Sequence, residues 1–68
     1  MIRKYTPEQW SRLNDFPIEL NEVAFYADTE SAIAGCKYQD GMYGAFGAGY
    51  DVKDITYDEM IDYIKSGY

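Results

Sequence analysis

The chain has 68 residues and a net charge of -6, and Leu, Ile, Val and Phe together supply only 13 of them, so it is one domain at most and stands at the compositional edge of disorder. Twelve aromatic residues, eight of them tyrosine, draw it back toward a packed, Tyr-rich fold, because tyrosine buries a large apolar area while keeping a polar end wet. A single cysteine, Cys36, and no histidine exclude an internal disulfide, zinc sites and Cys–His chemistry. The absence of any long apolar run, and the polar start Met1-Ile2-Arg3-Lys4-Tyr5, point to a cytoplasmic protein with neither membrane span nor signal peptide.

Thr6-Pro7-Glu8-Gln9 predicts a first helix over about 7 to 15. Thr6 supplies the capping hydroxyl, Pro7 the preset first helical φ, Glu8 an acid in the first turn and Gln9 the reciprocal half of a capping box. Trp10, Leu13 and Phe16 recur on one side, with Trp10 as core anchor, and Pro17 biases Phe16 away from helical geometry. Val23, Phe25 and Ala27 then alternate with Glu22, Ala24 and Tyr26, the period of a half-buried strand.

Asp40-Gly41, between 32–39 and 42–50, reads as a two-residue type I′ hairpin turn, in which both central residues need positive φ. Counting outward pairs Tyr38 with Tyr43, Lys37 with Gly44, Cys36 with Ala45 and Gly35 with Phe46. One sheet face then carries small, uncharged residues around Ala34, Cys36 and Ala45, and the other leaves Ile33, Met42 and Phe46 as an exposed apolar patch. Thr56-Tyr57-Asp58-Glu59 is a second capping box; Ile55 and Met60 form a hydrophobic staple, and Gly67 ends the helix. Tyr57, Met60, Ile61, Ile64 and Tyr68 make its core-facing stripe, while Tyr26, Tyr63 and one of Tyr38 or Tyr43 fall on wet faces. The expected fold is α+β in the order αβββα, a three-stranded antiparallel meander flanked by N- and C-terminal helices in a single domain, 1–68. A competing order, αβαβα, places a helix at about 29–38.

Chemistry is largely excluded. The segment Gly44-Ala45-Phe46-Gly47-Ala48-Gly49 lacks both the strand-to-helix context of a dinucleotide fingerprint and the Gly-Lys-Ser/Thr ending of a Walker loop. Cys36 has no His to activate it, and Asp51, Asp54, Asp58 and Glu59 lack the spacing of a calcium loop. No catalytic residue, cofactor or metal is expected, which leaves the surface. Residues 1–12 carry Arg3, Lys4 and Arg12 against Glu8, whereas 13–68 carry eleven acids against three lysines. Such a field repels nucleic acid and steers toward basic surfaces. The candidate partner-binding acids are Glu19, Glu22, Asp28 and Glu30 in one cluster and Asp51, Asp54, Asp58, Glu59 and Asp62 in the other, with Tyr63 and Phe46 as contact residues. If helical throughout, 54–62 spans about 12 Å, and its four carboxylates, Asp54, Asp58, Glu59 and Asp62, approach the phosphate density on one side of duplex DNA.

In size, charge and architecture the whole chain resembles phage-encoded inhibitor proteins, above all anti-CRISPR proteins, small acidic domains that share no diagnostic motif. The resemblance implies a non-enzymatic monomer that, in a host bacterial cytoplasm, occupies a basic nucleic-acid-binding surface of a CRISPR effector complex, a type I surveillance complex for example, and blocks DNA access. It transfers no functional residue. The alternative is a general interaction module or adaptor that binds through the Ile33, Met42, Phe46 patch or an open sheet edge, and a third option is a subunit that completes its fold only in an oligomer.

Overall fold

Both helices start on the capping chemistry that their sequences carry. In the computed structural model, which describes residues 1–15 and 17–68, the Thr6 hydroxyl accepts from the Gln9 amide at 3.1 Å and the Gln9 side chain accepts from the Thr6 amide at 3.0 Å. Thr56 and Glu59 repeat the exchange at 3.2 and 3.0 Å. The helices are Pro7–Asn14 (α1) and Tyr57–Ser66 (α2). Asp15, with φ 52°, turns the chain out of α1, and the Gly67 amide closes α2 on the Ile64 and Lys65 carbonyls. The expectation for Phe16 lies outside the described residues.

The α+β class holds, but the sheet has five strands among the described residues rather than three: Arg3–Tyr5 (β1), Glu22–Ala27 (β2), Ala34–Tyr38 (β3), Tyr43–Gly47 (β4) and Tyr50–Ile55 (β5). They pair antiparallel in sequence order. The competing helix at about 29–38 is overturned, because Ala34–Tyr38 is a central strand whose backbone pairs on both sides.

The hairpin turns differ from expectation in an instructive way. At the Asp40-Gly41 corner the Tyr38 amide donates to the Met42 carbonyl at 2.9 Å, so the loop holds three residues, Gln39, Asp40 and Gly41. Only Gly41 takes positive φ, 88°, and Asp40 Oδ1 accepts from the Met42 amide at 2.9 Å. Three-residue hairpin loops place glycine at such a left-handed position. The two-residue turn with both central φ positive lies one hairpin later, at Ala48 (49°) and Gly49 (86°), between the paired Gly47 and Tyr50. The expected strand over 42–50 therefore folds back, and its end begins β5.

The longer first loop moves the β3–β4 register by one residue. The pairs are Lys37 with Tyr43, Cys36 with Gly44, Gly35 with Ala45 and Ala34 with Phe46. A one-residue slip exchanges every side chain of one strand between faces. Phe46 therefore joins the face of Ala34 and Cys36, and Ala45 joins that of Gly35. A register irregularity between Glu22 and Ala24 in β2 likewise breaks the expected alternation, with Glu22 opposite Tyr38 and Phe25 opposite Cys36.

The helices lie on opposite sheet faces. Met60 and Ile64 of α2 sit at 0% exposure in one core with Ala24, Tyr26, Ile33 and Ala45. On the other face the Trp10 ring of α1 stacks on Phe25, with centroids 5.1 Å apart and planes 1° from parallel, while Tyr5 and Phe46 meet Trp10 edge-on at 5.7 and 6.0 Å. Several expectations are corrected here. Tyr26 is buried, whereas Tyr57, Tyr68 and Leu13 are exposed. Ile33, at 2% exposure, is core, so the apolar patch of Ile33, Met42 and Phe46 does not form.

Candidate binding groove and acidic surface

α1 packs over β1 and β2, and its Trp10 reaches across to Phe46 on β4, so the part of this sheet face toward β5 is the part that stays open. There the β2, β3, β4 and β5 residues of one face meet Trp10 and Asn14 of α1 and Pro17, Ile18 and Glu19. The result is an open groove of about 380 Å³. Its walls are aromatic, from Trp10, Phe25, Tyr38 and Phe46, and its rim carries Glu19, Glu22, Asp51 and Lys53. Burial pushes the Tyr38 phenol up, a hydrogen bond with Cys36 adds to this, and the charges of Glu22 and Asp51 act in the same direction. Burial also raises the Cys36 thiol, which keeps it in the unreactive protonated form.

The predicted acids distribute over distinct places. Asp51 and Asp54 are exposed on β5, the second at a left-handed kink with φ 59°. Asp54 therefore belongs to a strand and does not continue the helical row, which consists of Asp58, Glu59 and Asp62 on the exposed side of α2. Glu59 spends one carboxylate oxygen on the cap. Glu59 and Asp62 share a shallow depression with Tyr63 and Ser66, and the half-buried Tyr63 ring meets Tyr50 at 5.6 Å. Glu19, Glu22 and Phe46 come together with Asp51 in the groove, where Glu22 Oε1 accepts from the Glu19 amide at 2.9 Å. Glu30 is exposed in the β2–β3 loop.

Asp28 is different, and the structure removes it from the acidic surface. Its side chain is 1% exposed, with Oδ2 accepting from the Met1 α-amino group at 2.6 Å and from the Tyr68 hydroxyl at 2.7 Å. Oδ1 accepts from the Glu30 amide at 2.9 Å. The hydrogen bonds from the α-amino group, the Glu30 amide and the Tyr68 hydroxyl lower its pKa to about 2, and the bond it accepts raises that of Tyr68. The Met1–Asp28 contact is the only ion pair among the described residues. None of the exposed carboxylates is thus matched by a Lys or Arg within 4 Å there.

Strand order also separates the charges. Arg3 and Lys4 lie on β1, and Arg12 on α1 beside it. Asp51 and Asp54 lie on β5, four strand spacings away, about 19 Å. That β5 edge is interrupted by the Asp54 kink and carries Lys53 and two aspartates, features that discourage strand addition.

Sequence reasoning found Phe46, Glu19, Glu22 and Asp51 but not the wall formed by Trp10, Phe25 and Tyr38. Among the described residues no three Cys, Asp or Glu side chains converge as a metal site, and no helix is long and apolar enough to cross a membrane. Comparison of the chain with protein-family models, curated proteins and solved structures returns no match.

Proposed function

We propose that the protein is a non-enzymatic inhibitor that works by binding: its acidic surface occupies a basic, nucleic-acid-binding surface of another protein and keeps DNA away from it. The partner implied by the resemblance to anti-CRISPR proteins is a subunit of a CRISPR effector complex. The observation that carries this reading is the set of exposed carboxylates on β5 and α2, Asp51, Asp54, Asp58 and Asp62, none of them held by a cation among the described residues. An uncompensated carboxylate projects its field into solvent and breaks no ion pair on meeting a partner's Lys or Arg. The basic β1 edge on the far side of the sheet adds a polarity that orients the approach.

The test is target-DNA binding by a purified type I surveillance complex in the presence of the full chain. Added protein is expected to displace DNA, with a potency that falls as salt rises. The combined variant Asp54→Asn, Asp58→Lys, Asp62→Lys leaves both capping boxes and the groove untouched, and it is expected to lose potency by about tenfold or more. DNA binding unaffected by the protein, or undiminished inhibition by a variant with native circular dichroism, overturns the reading.

A further inference from the structure

We propose that the groove between α1 and β5 receives one arginine side chain of the protein partner, its guanidinium lying against the Tyr38 and Phe46 rings and facing the Glu22 and Asp51 carboxylates. This deepens the proposed function and rests on it for the basic character of the partner.

The groove combines two features that recognise the same ion. Of its aromatic residues Phe25 is sealed under Trp10, whereas Tyr38 and Phe46 keep part of their surface open, and an aromatic ring attracts a cation through its quadrupole. The protein already uses this contact on the opposite sheet face, where Lys37 Nζ lies 5.8 Å from the Tyr43 centroid. Its rim sets three carboxylates against one lysine. Lys53 makes no ion pair with Glu22 or Asp51 among the described residues, so both remain open to an incoming cation.

Glu22 is the better placed of the two. It is half-buried beside apolar rings, where water screens a charge less than at an open surface. One of its oxygens is engaged by the Glu19 amide, which holds the carboxylate in place for the second. Glu22 on β2 and Asp51 on β5 line the groove from opposite sides of β3 and β4, and the charge of each pushes the Tyr38 phenol up. A flat, delocalised cation suits such a site. Guanidinium stacks on rings and donates in a fixed fork to carboxylates, whereas an ammonium is a compact and strongly hydrated point charge.

The test uses a blocked Gly-Arg-Gly tripeptide and its citrulline counterpart, which has the same shape without the charge, titrated into the full chain and followed by NMR. Trp10 is the only tryptophan, so its indole N–H is a single reporter of the groove. The arginine peptide is expected to shift the Trp10 indole and the Tyr38 and Phe46 ring signals, and the citrulline peptide to leave them. Glu22→Gln with Asp51→Asn, which preserves the shape of both side chains, is expected to weaken binding about fivefold. Equal shifts with citrulline, shifts confined to α2, or undiminished affinity in the Glu22, Asp51 variant overturn the inference. If DNA displacement is observed without arginine in the groove, this inference alone fails; arginine in the groove without DNA displacement removes only the inhibitor reading.

Discussion

The two faces of the sheet are covered by different means. Under α2 the sheet presents Ala24, Gly35 and Ala45, and a Cβ on Gly35 would run into Met60 Cγ and Sδ. Small residues let the helix come close, and Met60 and Ile64 lose all contact with water. Under α1 the sheet presents Phe25 and Phe46, and α1 answers with one indole; none of its residues is fully buried. Ring against ring buries Phe25 and Cys36 but leaves Tyr38 and Phe46 partly exposed. The sealed face contributes stability, and the half-covered face keeps aromatic and charged groups within a partner's reach.

That contrast can be broken by mutation. Ile64→Ala is expected to have the largest effect, about 3 kcal/mol, because a sealed core cannot readily collapse around the cavity. In a domain of this size the change lowers Tm by roughly 15 °C, measurable by thermal circular dichroism. Trp10→Ala removes a stacked ring that is only partly sealed from water, and about 1.5 kcal/mol is expected in urea unfolding. Equal costs for the two variants would mean that the faces are sealed alike, and the contrast would be gone.

The smallest effect concerns the clasp that holds the β2–β3 loop. Asp28 has a folded pKa of about 2 against an ordinary 3.8, so folding favours its ionised form. Its contribution is complete above about pH 4, declines as pH falls toward about 2, and is absent below both values. Urea midpoints measured down the acid limb should fall less steeply for Asp28→Asn than for the native chain. Parallel limbs would show that the clasp does not contribute.

How much of this could be read from the residues varied with the range of the interaction. The helix starts were legible because each capping box closes within four residues, Thr6 to Gln9 and Thr56 to Glu59. The Asp40-Gly41 corner was legible as a turn but not as a loop length, since Asp-Gly suits both two- and three-residue loops. That single residue decided whether Tyr38 and Phe46 share a face. β1 is three residues long, and in β5 the alternation of Tyr-Asp-Val-Lys breaks at Asp54 after four residues, so neither carries a long strand signal; a neighbouring strand makes them strands. Phe46, Glu22 and Asp51 were recognisable as surface candidates, whereas the wall of Trp10, Phe25 and Tyr38 depends on the corrected register. Asp28 looked like any loop acid, because its partners come from 27 and 40 residues away.

Composition and local chemistry by themselves determined a small acidic α+β domain, two capped helices, a turn at residues 40 and 41, and an outward acidic row on α2. These depend on net charge and on contacts a few residues apart, which the chain carries in any conformation. Tertiary structure alone decided the five-strand sheet, the faces of β3 and β4, the withdrawal of Asp28 from the surface and the placing of Glu22 and Asp51 on one groove. Each of these depends on backbone pairing or burial between distant segments, where a shift of one residue reverses which side chains face one another.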